Sequence, residues 1–206
     1  MQSGFYLRPL NAYLLPLIYY YSIFYTNNKT KETIFQINKG FNSMSQIIVL
    51  RGNSASGKTS LARALKAAHP QTTFLIAQDT IKRELLLEHE GLHSLTPKLI
   101  VTLMDWALDH QLDIILEGIL RTEHYRAVYT FLDCVPVPVH YFYLNLDFDT
   151  GLQRNNLKPT PFSEIQLKKW WCHNGDPVKH AEIIIPTQLS LPERLKVIQQ
   201  SCYNER

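Results

Sequence analysis

Five short apolar runs, rich in β-branched residues, alternate along the chain with segments whose apolar residues recur at helical spacing. The runs predict strands and the segments between them predict helices. The pattern Ser163-x-x-Gln166 is a capping box and marks the start of one helix. The predicted strands cover residues 46–51, 72–77, 112–116, 137–146 and 182–185. The predicted helices cover residues 60–68, 79–90, 97–110, 121–134, 163–173 and 192–201.

This alternation is typical of a parallel sheet, because parallel neighbours need a crossover connection that is usually a helix. We therefore predict an α/β domain with three layers, α/β/α, built on a five-stranded, mainly parallel sheet. Ligands of such domains bind at the carboxyl ends of the strands. The residues that follow each strand are therefore the first candidates for chemistry.

The first predicted strand runs directly into a glycine-rich loop and a helix. The segment matches every fixed position of the phosphate-binding pattern G-x-x-x-x-G-K-[ST], in the strand–loop–helix context that the motif requires. Its glycines allow successive N–H groups to point at phosphate oxygens, and the helix N-terminus adds its dipole. We expect ATP or GTP to bind here and the fold to be that of a P-loop NTPase; the alternative is a glycine-rich turn that binds nothing. The predicted contacts are Gly52, Asn53, Ser54, Ala55, Ser56, Gly57, Lys58, Thr59 and Ser60.

Two residues of this loop are expected to act on the reacting phosphates. Lys58 should reach the β and γ phosphates, and Thr59 should place its hydroxyl on Mg²⁺. Lys58 is therefore predicted to be catalytic as well as nucleotide-binding. ATP and Mg²⁺ are the predicted cofactors.

The second predicted strand ends at Gln78-Asp79. A carboxylate at this point can face both the γ-phosphate and an acceptor hydroxyl, so Asp79 is the candidate general base. The alternative is that Asp79 only caps the helix that follows. Arg83, one turn further along, is a candidate for binding an acidic substrate, or it is a solvated surface arginine.

The third predicted strand ends at Glu117-Gly118, where an ATPase places its metal-associated acid. Glu117 is predicted to contact the acceptor or to hold Mg²⁺ through water, together with Thr59. The alternative for Glu117 is an ion pair with Arg121, which is itself a candidate substrate contact.

Residues 147–161 contain a predicted helix cap, Asp149 or Thr150, followed by basic residues and two prolines. The segment resembles a lid. We expect Arg154, and with it Lys158, to neutralise charge on the transferring phosphoryl group while the lid excludes water. The alternative is a polar surface loop.

Trp170 and Trp171 lie on the helix after the lid and cannot face the same way. One is expected in the core. The other is a candidate for the adenine or acceptor pocket, although packing is the simpler role for both.

Composition changes sharply near Met44. Phe, Tyr, Asn, Lys and Ile make up 22 of residues 1–43 but only 38 of the remaining 163. The apolar run 12–25 is short for a membrane span and contains Pro16, and no small-x-small cleavage site follows it. We expect residues 1–43 to be a non-domain extension, and our preferred hypothesis is upstream A/T-rich DNA read as protein, with translation starting at Met44; a secretory signal or membrane anchor is the rival. Residues 44–206 are the predicted P-loop kinase domain.

The distribution of charge and the cysteines limit the kinds of partner and compartment that fit this protein. Residues 1–43 carry four basic residues and one acidic residue, so the formal net charge of +3 lies there and residues 44–206 hold 17 basic and 17 acidic groups. This balance disfavours a nucleic-acid partner. Cys134, Cys172 and Cys202 form no CxxC or Cys/His ligand pattern, which favours a reducing, cytoplasmic compartment without a disulfide framework or structural zinc. Oligomeric state is left open.

Together, RGNSASGKTSLARAL, the QD at the second strand end, ILEGILRTEHY and the arginine-bearing lid before a Trp-containing helix resemble P-loop kinases of the zeta-toxin and chloramphenicol-phosphotransferase-like group. The resemblance spans most of residues 46–186. It implies that Lys58 and Thr59 contact ATP and magnesium, that Asp79 is the base, that Glu117 contacts substrate or metal-bound water, and that Arg154 is a lid arginine. The chain departs from zeta toxins in pairing Arg154 only with Lys158 or Asn155 rather than with a second arginine.

From these residues we expect an enzyme, an ATP-dependent kinase that moves the γ-phosphate to a hydroxyl of a small molecule such as a nucleoside, a UDP-sugar or an antibiotic-like compound. The alternative is an ATP-binding switch or ATPase that docks a partner and has no small-molecule acceptor. No membrane partner is expected. The identity of the acceptor is not encoded in any local motif.

Overall fold

A computed structural model of the chain describes residues 45–88, 94–172, 176 and 178–203. The predicted extension over residues 1–43 and the boundary at residue 44 lie outside them. Strands and helices alternate in the described part as predicted. The strands are β1 (Ile47–Gly52), β2 (Thr73–Ala77), β3 (Asp113–Gly118), β4 (Val139–Asn145) and β5 (Ile183–Pro186). The helices are α1 (Lys58–Ala68), α2 (Gln78–Thr80), α3 (Thr96–Asp109), α4 (Arg126–Leu132), α5 (Phe148–Asn156), α6 (Glu164–Trp170) and α7 (Leu191–Tyr203), and α2 continues as a π-helix over Ile81–Leu85.

The five strands form one sheet in the order β2-β3-β1-β4-β5, and every neighbouring pair is parallel. The register places Glu117 of β3 opposite Leu50 of β1 on one side and opposite Ala77 of β2 on the other. The loops that follow β1 and β2 therefore both begin beside Glu117. This arrangement positions the site.

Helices cover both faces of the sheet. On one face, Leu61 and Leu65 of α1 and Ile198 of α7 pack with Ile48 and Leu50 of β1 in a buried cluster. On the other face, α3 contacts β2, β3 and α4. Because both faces are covered, the central strands are apolar along most of their length instead of alternating with polar residues. The predicted three-layer α/β/α fold is confirmed. No helix among the described residues is long and apolar enough to cross a membrane.

The helix predicted over residues 121–134 is shorter than expected and begins at Arg126. The residues before Arg126 do not have helical geometry. Leu120 has a φ of 48°, and the N–H and hydroxyl of Thr122 both donate to the Asp176 carboxylate. These long-range bonds hold residues 121–125 as a turn. Helical periodicity alone could not reveal them.

The helix predicted over residues 79–90 was also too long, since it ends at Leu85 and residues 89 and 90 lie outside the described part. Leu87 has a φ of 51°, a left-handed conformation that stops a helix. The Glu88 carboxylate then accepts hydrogen bonds from the hydroxyls of Ser94 and Thr96 at the start of α3. Glu88 therefore forms hydrogen bonds at the start of α3 and is not part of the helix that ends at Leu85.

Two helix caps were predicted, and one of them was wrong. Ser163 caps α6, and its capping box with Gln166 is present as expected. The cap of α5, expected at Asp149 or Thr150, is Asp147, whose Oδ1 accepts a hydrogen bond from the Thr150 N–H at 2.8 Å. The first turn of α5 thus begins earlier than predicted.

Candidate active site

The phosphate-binding loop joins β1 to α1 and depends on two glycines. Gly52 has a φ of 144°, and a Cβ there would lie 2.7 Å from the carbonyl oxygen of Leu144. Gly57 has a φ of 94° and precedes the first residue of α1. Both positions exclude a side chain, the first by close backbone approach and the second by conformation. The residues Asn53, Ser54, Ala55 and Ser56 lie between them, and Ser60 is in the first turn of α1.

Lys58 is the first residue of α1 and is buried. Its Nζ donates to the carbonyl oxygen of Asn53 at 2.8 Å, so the side chain folds back over the loop. Burial lowers the pKa of Lys58 to about 8, and the carboxylates of Glu117 and Asp79 act in the opposite direction. A buried ammonium held inside an anion-binding loop is suited to pairing with phosphate oxygens.

Thr59 and Glu117 are joined directly. The Thr59 hydroxyl donates to Oε1 of Glu117 at 2.9 Å. Burial raises the pKa of Glu117, while Lys58 and the Thr59 hydrogen bond oppose that shift. The alternative ion pair between Glu117 and Arg121 is not formed: Arg121 lies 3.9 Å from Glu123 and donates to the Lys169 carbonyl oxygen.

The Thr59 hydroxyl and the Glu117 carboxylate together fit Mg²⁺, which prefers oxygen ligands and is commonly held by one or two protein groups plus substrate phosphates. No cluster of three or more His, Cys, Asp or Glu residues that could hold a metal occurs among the described residues. Any magnesium at this point would therefore complete its coordination with phosphate oxygens and water. Those two residues are the ones that would hold it.

Asp79 lies in the first turn of α2, immediately after β2. Its side chain is 66% exposed, and Oδ1 accepts a hydrogen bond from Nε of Arg83 at 3.2 Å. The N-cap of this helix is Ala77, so the alternative in which Asp79 only caps the helix is wrong. The Asp79 carboxylate is one of the charges that raise the pKa of Lys58 against the effect of burial.

The segment after α5 forms an aromatic and cationic cluster against Asp79 and Arg83. The Arg83 guanidinium lies 5.1 Å from the ring centroids of both Phe162 and Trp170, and Lys158 Nζ lies 5.3 Å from the Phe162 centroid. Burial lowers the pKa of Lys158, with Asp79 opposing and Arg83 adding to the shift. The predicted substrate residues Arg83 and Lys158 are thus brought together with the candidate base.

Asn155 is fully buried and joins α5 to the end of the lid segment. Its side-chain amide donates to the Phe162 carbonyl oxygen at 2.8 Å and accepts from the Phe162 N–H at 3.2 Å. Trp171 is the core tryptophan, packed with Leu146 and Leu167. Trp170 packs edge-on against Phe162 and lies under the Arg83 guanidinium. One tryptophan is thus in the core as expected, and a role of the other in an adenine or acceptor pocket stays a prediction.

Arg154 is placed differently from Lys158. Its guanidinium donates to the carbonyl oxygen of Thr187 at 3.1 Å, an oxygen that also accepts from Arg194. Lys158 is one of the charges that act on the pKa of Lys58. The structure therefore groups Lys158 with Lys58 and Asp79, and places Arg154 against the loop between β5 and α7.

Several supporting residues were not identified from the sequence. Gln78 accepts hydrogen bonds from the N–H groups of Ile119 and Leu120 at 2.8 and 3.2 Å and donates to the Tyr125 hydroxyl at 2.7 Å. A Cβ on Gly118 would lie 2.2 Å from Gln78 Oε1, which explains the glycine after Glu117. The only sequence signal was the position of Gln78 beside Asp79 at a strand end.

The phosphate-binding loop is also supported from distant segments. The Asn53 side chain donates to the Cys172 carbonyl oxygen at 3.1 Å and accepts from the Cys172 N–H at 2.8 Å. Arg194 of α7 donates to the Ser56 carbonyl oxygen at 3.3 Å. Both partners lie more than a hundred residues away along the chain, and no local pattern marks them.

A buried charge cluster lies at the end of β1. Arg51 is fully buried and donates to both oxygens of Glu182 at 2.9 Å and to the Asp176 carboxylate at 3.1 Å. The same Asp176 carboxylate accepts from Thr122. This cluster ties β1, the turn after β3 and the segment before β5 together beneath the site.

Comparisons with known proteins agree with this geometry. Residues 45–123 match the family model of chloramphenicol phosphotransferase-like proteins. No curated protein sequence matches the chain. Among solved structures, the Deinococcus radiodurans tunicamycin resistance protein is 20% identical with a TM-score of 0.59, covering 77% of this chain and 96% of its own.

Two further structures are similar. The Mycobacterium tuberculosis APS kinase CysC, in complex with AMPPNP and APS, is 12% identical with a TM-score of 0.58, covering 76% of this chain and 96% of its own. A sugar kinase from Janibacter sp. HTCC2649 is 13% identical with a TM-score of 0.58, covering 76% of this chain and 93% of its own. At these identities the likeness establishes the fold. The predicted resemblance is confirmed: the chain resembles the chloramphenicol phosphotransferase-like proteins over residues 45–123, and its fold is that of the P-loop kinases.

Proposed function

We propose that this protein is an ATP-dependent phosphotransferase that moves the γ-phosphate of ATP to a hydroxyl of a small molecule. The observation that carries the proposal is the grouping of Lys58, the Thr59–Glu117 pair at 2.9 Å and Asp79 at adjoining strand ends. A nucleotide-binding switch needs the first three groups but has no use for a second carboxylate. The family match and the kinase fold of the structural neighbours support the same activity.

The nucleotide half of the site follows from the loop. Backbone N–H groups between Gly52 and Gly57, together with Lys58, would bind the phosphates, and Thr59 and Glu117 would hold Mg²⁺. When bound, the metal would neutralise charge on the phosphates. Phosphoryl transfer depends mainly on positioning and charge neutralisation, which this set of residues supplies.

Asp79 is proposed as the general base. Arg83 occupies Oδ1 of Asp79, while Oδ2 has no hydrogen-bond donor among the described residues. Oδ2 is therefore the atom available to accept the proton of the acceptor hydroxyl as its oxygen attacks the γ-phosphorus. The Arg83 contact would hold the carboxylate in one orientation.

Lys158 and Arg154 are proposed to neutralise charge on the transferring phosphoryl group from the lid. Lys158 is already close to Asp79 and Arg83. Arg154, bonded to Thr187, would have to exchange that carbonyl oxygen for a phosphate oxygen. Lys158→Ala and Arg154→Ala should each lower kcat while leaving ATP binding in place, and an unchanged kcat in Arg154→Ala would remove it from this role.

The proposed acceptor is a small molecule of the nucleoside, UDP-sugar or antibiotic-like kind, and the proposed compartment is cytoplasmic. Cys134, Cys172 and Cys202 are all free thiols, which suits a reducing environment. The abundance of ATP in the cytoplasm is consistent with that location.

The test is ATP consumption by the full chain with Mg²⁺ across nucleosides, UDP-sugars, aminoglycosides and chloramphenicol, with products identified by mass. A species heavier by one phosphoryl group should appear with the wild type and vanish in Lys58→Ala. Asp79→Asn should still bind ATP but lose transfer; if transfer survives within about tenfold, on the order of 1.4 kcal/mol of barrier, Asp79 is not the base. ATP binding without product from any acceptor would favour the nucleotide-dependent switch.

A further inference from the structure

A small pocket of about 60 Å³ lies beside the proposed acceptor site. It opens between the π-helix after α2, the turn before α4 and the last residue of α6. A volume of this size holds about four or five water-sized groups, so it suits one functional group of a ligand rather than a whole acceptor. Its polar lining includes Lys82, Arg121, His124, Ser94 and Gln78.

The ionisable side chains of this lining other than Tyr125 are all basic. Lys82 is half-buried, and its ammonium group forms no hydrogen bond or ion pair with any described residue. Arg121 donates one bond to the Lys169 carbonyl oxygen, and its contact with Glu123 is long at 3.9 Å. His124 places Nδ1 where it is buried without a hydrogen-bond partner in the described part of the chain, while its other nitrogen faces Glu123 at 3.0 Å.

The acidic groups nearby do not neutralise this pocket. Glu123 is 63% exposed, so its charge is screened by water. Glu88 is occupied by Ser94, Thr96 and the Leu95 N–H at the start of α3. The half-buried Lys82 ammonium lacks the counter-charge that a bound anion would provide. The buried Nδ1 of His124 would add a second donor to that anion when both ring nitrogens carry a proton.

The pocket adjoins the proposed base. Lys82 lies three residues after Asp79, and Gln78, the chain neighbour of Asp79, lines the pocket. Trp170 lines the pocket and also contacts Arg83, the partner of Asp79. A molecule whose hydroxyl approaches Asp79 can therefore extend along Trp170 into the pocket.

We propose that the acceptor carries an anionic group, a phosphate, sulfate or carboxylate, that binds in the pocket formed by Lys82, Arg121 and His124 while its hydroxyl faces Asp79. This inference rests on the proposed kinase activity and adds the chemical class of its substrate. A neutral acceptor would leave the Lys82 ammonium without a counter-charge in a half-buried position. The preference is therefore for anionic over neutral acceptors of the same size.

The test compares matched acceptors that differ in one anionic group: glucose, gluconate and glucose 6-phosphate, and adenosine and adenosine 5′-phosphate. Turnover is followed by product mass, and binding is measured by calorimetry to protein saturated with Mg²⁺ and AMPPNP, so that the phosphate-binding loop is already filled. In at least one set the anionic member should be bound and phosphorylated with a Kd or KM at least tenfold lower than its neutral partner. Comparison of gluconate with glucose 6-phosphate distinguishes carboxylate from phosphate.

Variants locate the effect. Lys82→Met and Arg121→Met should each raise the Kd of the anionic member at least tenfold, while the Kd of Mg·ATP stays within twofold of wild type. Lys82→Arg keeps the charge and should restore most of the affinity, which separates a charge effect from a folding defect. Lys196→Met is the matched control, because it removes the same charge at an exposed position of α7. It should leave the Kd of the anionic acceptor and the Kd of Mg·ATP unchanged.

The outcomes separate the two proposals. Phosphorylation of the neutral and the anionic acceptor of each set with equal KM overturns the anionic-acceptor inference, but it supports the proposed kinase activity. Lys82-dependent binding of the anionic members without phosphoryl transfer confirms the anion pocket and overturns the kinase. Absence of binding by every anionic member to the nucleotide-loaded protein, with ATP binding intact, overturns the inference outright.

Discussion

Nucleotide affinity should fall as pH rises through the pKa of Lys58. Burial lowers that pKa to about 8 in the nucleotide-free protein. Only the protonated Lys58 side chain can form an ion pair with a phosphate. Bound nucleotide therefore stabilises the protonated form and raises the pKa of Lys58 in the complex. Above pH 8 binding must therefore be accompanied by proton uptake, whereas at pH 7 the lysine is already charged.

The size of the effect follows from the pKa of about 8. At pH 9 about one molecule in eleven of the free protein has a charged Lys58, compared with about nine in ten at pH 7, so the Kd should rise about tenfold, or about 1.4 kcal/mol. The effect on folding has the opposite sign. Because the folded pKa lies below the unfolded value of about 10.4, the unfolded chain binds more protons between these values, and this group makes folding more favourable as pH rises across that window.

The assay is calorimetric titration of the full chain with ADP and Mg²⁺, which cannot be turned over, at pH 7, 8 and 9 in two buffers of different ionisation enthalpy. About one proton should be taken up per ADP bound at pH 9 and close to none at pH 7. Lys58→Arg is the control, because arginine stays charged across this range and should remove the slope of Kd against pH. A Kd that is flat from pH 7 to 9 in the wild type, or an equal slope in Lys58→Arg, refutes the reasoning.

Three further predictions concern neighbouring parts of the molecule. Glu117→Gln removes the charge opposite Thr59 at constant size, so the Mg²⁺ concentration for half-maximal ATP consumption should rise at least tenfold; an unchanged requirement would exclude Glu117 from the metal site. Arg51→Met leaves the Asp176 and Glu182 carboxylates without their buried partner and should lower the urea-derived free energy of unfolding by about 3 kcal/mol; a loss under about 1 kcal/mol would show that the cluster is not stabilising. Gly151→Ala should lower the melting temperature although alanine favours helices, because the new Cβ would lie 2.5 Å from a Trp171 ring carbon; a rise would contradict the packing described for α5.

The geometry of the phosphate-binding loop was predictable because its determinants are local. The strand, the loop from Gly52 to Thr59 and the first turn of α1 are consecutive in sequence, and each residue type there has a backbone or charge reason. The position of Glu117 was also predictable, since parallel strands end at one edge of the sheet. The direct contact between Glu117 and Thr59 was not predictable, because it depends on β3 lying next to β1. The alternation of strands and helices along the chain does not specify the order of the strands in the sheet.

Errors arose where a distant residue competes with local propensity. The helix expected from residue 121 starts at Arg126 because Asp176 binds the N–H and hydroxyl of Thr122, 54 residues away along the chain. Arg51 looked like one more strand residue, yet its partners lie 125 and 131 residues away. Periodicity and capping preferences contain no information about contacts at such separations.

The difference between the two halves of the site also explains why the reaction class is easier to identify than the acceptor. Phosphate chemistry is the same for every kinase of this fold, so a contiguous loop can encode it. The proposed acceptor pocket is formed by Lys82 after β2, by Arg121 and His124 after β3, and by Trp170 at the end of α6. These three segments are far apart in sequence, and the order of the strands brings them together. Changes in any one segment can therefore alter acceptor choice without affecting ATP binding, and that independence is what the Lys82 and Arg121 variants measure.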